Sequence, residues 1–245
     1  MAPLATKLFR IDIGNATAAF VTAVGRLQSD LAAGQVPAAK EDELAAQGDY
    51  DYFRLLETDN SVNASTLDET ITDVQPGQTF GGLHAIERDL WVSGDALSDA
   101  SGLEPQAQVA EFILSRLTLP PEAIGTTGVD ELNWVNDVAI PGREEWYSHL
   151  DAVDISATIA AADQAFDAVE PLAHQVAPSL TVVVAGRFAT LENDVAELGP
   201  VTDLPDSALS STTRLSLSQQ VDATADGLAQ LSATLVPYGT SAASS

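Results

Sequence analysis

Apolar residues recur at intervals of three and four along almost the whole chain, and this spacing constrains the fold more than any other feature of the sequence. Proline and glycine interrupt the pattern, as they do at helix ends. Helices are predicted over these ranges: Ala5 to Ala33, from after Pro37 to near Asn60, Phe80 to Trp91, Glu104 to Leu117, Asp130 to Ala139, Asp151 to Ala173, Pro178 to Gly199 and Thr213 to Leu235. The chain is therefore predicted to be all-α.

Two segments qualify this helical pattern. The run Thr181 to Val184 has the composition of a strand, but helix-spaced apolar residues follow it and favour a helix. Pro120-Pro121 breaks the pattern near the middle of the chain. We take this break as the boundary between two lobes of about four helices each, residues 1–118 and residues 119–245.

The composition limits the classes of function. The 245 residues are 45% hydrophobic and carry a net charge of −26, which allows a substantial core but repels nucleic acid and anionic membranes. A strong negative field concentrates cations instead. A solvated surface suited to a salty environment explains the same charge without any binding site.

Absent features narrow the chemistry further. The chain has no cysteine, which excludes disulfides, thiolate catalysis, iron–sulfur clusters and cysteine-type zinc sites. No run of about 18 apolar residues predicts a membrane span. The first residues also lack the basic and apolar regions of a signal peptide. Both an intracellular protein and a mature region whose leader has been removed fit these observations.

The segment Phe80 to Trp91 holds the most informative pair of residues, His84 and Glu87. In one helix with about 100° between residues, Phe80, His84, Glu87 and Trp91 share a stripe that looks buried, while Ala85 and the charged residues after Glu87 face water. A buried carboxylate needs a partner or a cation, and an imidazole–carboxylate pair at this spacing can hold a metal inside a helical bundle. A hydrogen-bonded His–Glu pair in the core is the structural alternative.

Three segments resemble the imelysin-like family, which includes the EfeO and EfeM proteins of bacterial iron uptake. Gly82-Leu-His-Ala-Ile-Glu-Arg-Asp-Leu-Trp91 matches the glycine–histidine–glutamate signature of that family. Leu117-Thr-Leu-Pro-Pro121 resembles the junction between its two helical halves. Gly142-Arg-Glu-Glu-Trp-Tyr-Ser-His-Leu-Asp151 resembles the run that precedes a long helix.

The resemblance implies a fold of two packed four-helix bundles, with a cation site near the groove between them. It implies a protein outside the cytoplasm, periplasmic or at the cell surface, in the shorter EfeM-like form without a cupredoxin-like domain. Its cargo would be a metal cation, iron foremost, with zinc, manganese and copper left open. Its partners would be a permease or a peroxidase of the same uptake system.

The resemblance also suggests further ligands. Asp51 stands in place of the glutamate in the Tyr-Glu-Arg run of the family, and Glu57 is a nearby substitute. The aspartate that the family carries in the following loop corresponds here to Asn63, a weaker ligand. Asp151 is a fourth candidate, although capping of the helix after it is the simpler role. The predicted metal ligands are therefore His84, Glu87, Asp51 and Asp151.

Non-catalytic metal capture is the leading functional hypothesis. A metallopeptidase is the main alternative, because the family was named after a reported protease activity. A zinc peptidase helix presents His-Glu-x-x-His, whereas Ala85 and Arg88 occupy the positions of its glutamate and second histidine. A module that binds an acidic polysaccharide such as alginate through bridging cations is the third hypothesis.

Overall fold

The structure of the chain, a computed structural model, describes residues 1–59, 67–72, 74–92 and 94–239, and this described part contains helices and no strand. The predicted all-α fold class is confirmed. The helices are α1 (Ala2–Ala32), α2 (Val36–Asp51), α3 (Arg54–Asp59), α4 (Leu83–Trp91), α5 (Ala96–Ala100), α6 (Leu103–Leu114), α7 (Pro121–Trp134), α8 (Ala152–Val176), α9 (Pro178–Glu197) and α10 (Ser211–Gly239). None of them is both long and apolar enough to cross a membrane.

Proline and glycine mark several of the helix ends that the sequence predicted. The chain leaves α1 through Gly34, whose φ of 69° favours glycine. α9 begins at Pro178, as predicted, where the missing N–H of proline costs no helical hydrogen bond. Thr181 to Val184 lies inside α9 and is helical, as predicted.

Other boundaries differ from the predictions. The helix predicted to end near Asn60 is divided, because α2 ends at Asp51 and α3 starts at Arg54. The helix predicted from Asp130 starts at Pro121, and its last turn, Val135–Ala139, is a π-helix. The short helix α5 was not predicted at all.

The helix that carries His84 is shorter than predicted, and this changes which residues share its face. α4 starts at Leu83, so Phe80 lies before the helix and not in its buried stripe. Ala85, predicted to face water, is fully buried. The prediction failed because Gly82 has a φ of 79°, which no helix accommodates, and it therefore acts as the N-cap.

The buried apolar side chains form one connected cluster that extends from α1 to α10. α7, α8, α9 and α10 pack against one another, while α1 packs against α2, α6 and α8. α8 thus contacts helices from both halves of the sequence. The division into lobes 1–118 and 119–245 stays a prediction.

A segment without regular helix, residues 140–151, joins the π-helical turn to α8. It contains two positive φ angles, 74° at Gly142 and 59° at His149. These turns fold the segment back toward α4, where its backbone and side chains contact Glu87 and His84. The segment therefore supplies the second half of the site described next.

Candidate metal centre

The start of α4 places His84 against the preceding loop. The N–H of Leu83 donates a hydrogen bond of 2.7 Å to the carbonyl of Leu67. Gly82 lies so close to that carbonyl that a Cβ atom on it would approach the oxygen to 2.5 Å. Because Asp68 follows Leu67 directly, this contact brings the Asp68 carboxylate to the imidazole.

His84 is 2% exposed and is surrounded by carboxylates. Its Nε2 lies 3.2 Å from Asp68 Oδ1 and 3.4 Å from Glu144 Oε1. Its Nδ1 lies 3.4 Å from Glu87 Oε2. Each ring nitrogen thus faces at least one carboxylate oxygen.

Backbone groups of the segment 140–151 orient Glu87. The N–H groups of Tyr147 and Ser148 donate hydrogen bonds of 2.8 and 2.6 Å to Glu87 Oε1. The other oxygen, Oε2, is left facing His84. A carboxylate held in this way at one oxygen presents the second in a fixed direction, which suits a ligand.

The same segment carries Glu144 and Glu145. Ser148 donates its hydroxyl to Glu145 Oε2 at 2.7 Å, while Oε1 of Glu145 has no hydrogen-bond partner in the described part of the chain. The N–H of Glu144 donates to Asp151 Oδ1 at 2.9 Å. Asp151 therefore fixes the position of the backbone at Glu144.

Two groups of side chains have the arrangement of cation ligands. Asp68, His84 and Glu144 form the first group, and His84, Glu87 and Glu145 form the second, with the ligand atoms of each group within 4.8 Å of one another. Ligands bonded at about 2.1 Å are about 3.0 Å apart around an octahedral ion and about 3.4 Å apart around a tetrahedral one. The separations of 3.2 and 3.4 Å at His84 match these values.

Glu43 on α2 adds a fifth carboxylate. Its side chain is fully buried, and neither of its oxygens has a hydrogen-bond partner among the described residues. It interacts electrostatically with Glu87, His84 and Asp68. A buried carboxylate without a partner is costly, so this one needs a proton or a cation.

The pKa values show how the acidic surroundings act on each group. Burial lowers the pKa of His84, but the neighbouring carboxylates, Asp68 foremost, outweigh burial and hold that pKa well above its ordinary value. Burial raises the pKa of Asp68 to about 6, although His84 opposes the shift. Burial would raise the pKa of Glu87 too, but the imidazole and the N–H of Ser148 lower it below its usual value. Burial and the charge of Glu87 raise the pKa of Glu145 well above its usual range.

An adjoining layer contains Arg54 and its partners. Its guanidinium lies 2.8 Å from Glu131 Oε2 and 3.5 Å from Asp51 Oδ1, and it packs on the ring of Trp134. Burial raises the pKa of Glu131 to about 7 and that of Asp51 well above its usual value, while Arg54 opposes both shifts. Burial and the charge of Asp51 also raise the pKa of Asp154. Arg54 thus balances part of a second buried acidic group.

The predicted ligands fall into these two layers. His84 and Glu87 lie together, as their spacing predicted. Asp51 is beside Arg54, within electrostatic reach of Asp68 and Glu144, and Asp151 binds the Glu144 backbone; as ligands, both remain predictions. The Asp151 side chain makes no capping hydrogen bond to α8, so the capping role is wrong. The side chain of Glu57 and the whole of Asn63 lie outside the described residues.

Sequence reasoning missed four carboxylates next to the histidine: Glu43, Asp68, Glu144 and Glu145. Glu144 and Glu145 lay inside a segment that carried the family resemblance, and their adjacency was the available signal. Asp68 lies within the loop before α4 and had no such signal. Glu43 looks like an ordinary helix-surface residue in the sequence.

Known proteins support the resemblance but cover only part of the chain. It is 26% identical over 130 residues to the iron uptake system component EfeM of Bacillus subtilis, a match spanning 51% of this chain and 34% of that protein. An EfeM/EfeO family lipoprotein of Staphylococcus haemolyticus is 28% identical over 111 residues, 44% of this chain and 39% of that protein. One of Staphylococcus aureus is 31% identical over 97 residues, 38% of this chain and 34% of that protein.

These relatives confirm the similarity to EfeM and EfeO proteins that the three sequence segments indicated. The chain spans between about a third and two fifths of the length of the relatives that it matches. No model of a protein family matches the chain.

Proposed function

We propose, from its similarity to EfeM and EfeO proteins, that this chain captures iron as cargo for uptake and binds it at His84 and the carboxylates around it. The matched EfeM protein is an iron uptake component by name. The proposal extends that role to this chain and assigns it a site.

One observation carries the proposal: a buried imidazole is surrounded by buried carboxylates that lack enough positive charge to balance them. Asp68, Glu87 and Glu144 lie within 3.4 Å of the His84 ring nitrogens. The nearby Arg54 is engaged by Asp51 and Glu131. A bound cation would replace the protons that otherwise neutralise these acids.

The ligand types favour iron or manganese over soft metals. One imidazole nitrogen with several carboxylate oxygens forms a hard, oxygen-rich site, while soft metals prefer the thiolates that this chain lacks. Zinc and copper also accept such ligands. Which metal the site binds therefore depends on the availability of each metal as well as on the ligand types. The net charge of −26 raises the local concentration of any cation near the protein.

The site supports binding rather than peptide hydrolysis. Both ligand groups contain a single histidine, and the other two histidines, His149 and His174, are exposed. Ala85 and Arg88 stand where a zinc peptidase carries its glutamate and second histidine. The relatives bear names of uptake components and lipoproteins.

We place this function outside the cytoplasm, at the cell surface or in the periplasm, because two of the relatives are named lipoproteins. Capture there requires a partner that receives the ion. A permease or a peroxidase of the same uptake system would be that partner.

A titration of the untagged protein with Fe²⁺ under anaerobic conditions tests the proposal, with calorimetry as the measurement. His84→Ala should weaken binding by at least about 10–100-fold, the range seen when interactions at a metal site are lost. The matched control is His174→Ala, because that histidine is exposed near the end of α8. Equal affinity in the wild type and in His84→Ala would place the cation elsewhere.

A further inference from the structure

We propose that this site holds two cations at once, one on each ring nitrogen of His84. This inference rests on the proposed function and deepens it, because it concerns the same cluster. It follows from the two separate ligand groups that share the imidazole.

The first cation position lies at Nε2 of His84. Asp68 Oδ1 and Glu144 Oε1 are 3.2 and 3.4 Å from this nitrogen. Nε2 is buried and makes no hydrogen bond of good geometry with any described residue. Asp68 and Glu144 are 10% and 7% exposed at their side chains, so this is the outer position.

The second position lies at Nδ1. Glu87 Oε2 is 3.4 Å from this nitrogen, and Glu145 completes the group. Each of these carboxylates accepts a hydrogen bond from Ser148 at one oxygen. The N–H of Ser148 donates to Glu87, and its hydroxyl donates to Glu145. The remaining oxygens, Oε2 of Glu87 and Oε1 of Glu145, are buried and without a hydrogen bond among the described residues. One free oxygen from each side chain is therefore available at the inner position.

One ion cannot serve both groups. The lone pairs of the two imidazole nitrogens diverge from the ring, so a cation bonded to one nitrogen lies out of reach of the other. If a single ion bound at Nε2, the inner carboxylates would still depend on protons to neutralise them. If it bound at Nδ1, the outer pair would do so.

The charge of the cluster also calls for more than one cation. A divalent ion balances two carboxylates, and two such ions balance four. Arg54 favours the charged form of Asp68, but its single charge is shared with Asp51 and Glu131. The buried or nearly buried carboxylates around His84 are Glu43, Asp68, Glu87, Glu144 and Glu145.

The carboxylate of Glu43 interacts electrostatically with both ligand groups. It interacts with Glu87 of the inner group and with Asp68 of the outer group. Both of its oxygens are buried and unpartnered in the described part of the chain. A cation at either position would therefore lower the cost of burying this carboxylate.

Each cation takes the place of one proton on the imidazole. Filling both positions removes the protons at Nδ1 and Nε2, which pass to the solvent, and leaves a bridging ring with a cation on each side. No oxidation or bond cleavage is involved, so the redox-inert ion Zn²⁺ can report on the stoichiometry.

The experiment is equilibrium dialysis and native mass spectrometry of the full chain with Zn²⁺ alone. We expect two ions per wild-type chain, one per chain for Glu145→Gln and one per chain for Asp68→Asn. These substitutions keep the size of each side chain and remove one charge. Asp163→Asn makes the same change from carboxylate to amide in α8, where Asp163 lies next to Asp167 and Glu192, and as the control it should still bind two ions. Circular dichroism of each apo variant checks that it is folded.

The possible outcomes separate this inference from the function on which it rests. One ion per wild-type chain, weakened alike by both variants, would overturn the two-cation arrangement and leave metal capture intact. Two ions in both variants would overturn it as well, because the second ion would then lie outside the cluster. No Zn²⁺ in the wild type would also overturn the two-cation arrangement, whereas the proposed function itself would be refuted by a failure to bind Fe²⁺ in the calorimetric titration.

Discussion

The N–H of Leu83 donates a hydrogen bond to the carbonyl of Leu67 at 2.7 Å, and this bond holds the loop that carries Asp68 against the helix that carries His84. The two residues are 16 positions apart, so no local pattern predicts the contact. Gly82 makes it possible, because its φ of 79° and missing Cβ allow the close approach.

Gly82→Ala should therefore loosen the site. Its Cβ would lie 2.5 Å from the Leu67 carbonyl oxygen, at a φ that alanine rarely adopts. We expect a loss of about 1–3 kcal/mol in the free energy of unfolding, and weaker cation binding as Asp68 moves away. Urea unfolding and calorimetry measure the two effects. Gly81→Ala is the matched control, since nothing lies within 4 Å of its Cβ position; equal effects of both variants would contradict the prediction.

Removal of the metal should leave the fold intact. The apolar core is one cluster that extends from α1 to α10, so folding does not depend on the ion as it does in a zinc finger. Chelation should lower the melting temperature while the helical circular dichroism at room temperature stays the same. Loss of the helical signal on chelation would instead give the ion a structural role.

The metal-free protein should lose stability as the pH rises. The pKa of Asp68 is raised to about 6, that of Glu131 to about 7 and that of Asp151 to about 8, in each case by burial. The folded state thus holds protons that the unfolded chain has already released, and stability falls between about pH 4 and pH 8. The raised pKa of His84 acts in the same direction, while the lowered pKa of Glu87 opposes it.

Melting temperatures at several pH values, measured with a chelator and with saturating Zn²⁺, check this dependence. The decline should be steep with the chelator and shallower with Zn²⁺, because cations replace the protons. A melting temperature of the metal-free protein that rises from pH 5 to pH 8 would contradict the assignment.

Arg54→Met should destabilise the metal-free protein by about 3–5 kcal/mol, the cost of breaking a buried ion pair from one side. Arg54 is the cation for Glu131 at 2.8 Å and for Asp51 at 3.5 Å. Adding Glu131→Leu to this variant should recover part of the loss, since it removes the stranded carboxylate. Chemical denaturation measures the free energy of unfolding of both variants. Arg26→Met is the control, because it breaks the more exposed pair with Asp42. Its expected loss is below about 1 kcal/mol.

The sequence predicted helices well where local signals set their ends. Pro178 begins α9 as expected, because proline is favoured in the first turn of a helix, where its missing N–H costs no hydrogen bond. The prediction of helix ends failed where a contact with a distant residue sets the end. Gly82 is a helix start because of Leu67, and Phe80 therefore lies outside the stripe to which the periodicity assigned it.

The pair His84 and Glu87 followed from the sequence alone, because a spacing of three in a helix brings two side chains to one face whatever surrounds them. The remaining carboxylates did not follow. Glu43, Asp68 and Glu145 come from a helix, a loop and a connecting segment that are far apart in the chain, and only packing brings them to one imidazole. Local geometry thus determined the first two candidate ligands. Tertiary structure decided how many carboxylates surround these two ligands, and how buried and charged the site is. These properties depend on which segments, distant in the sequence, pack against one another.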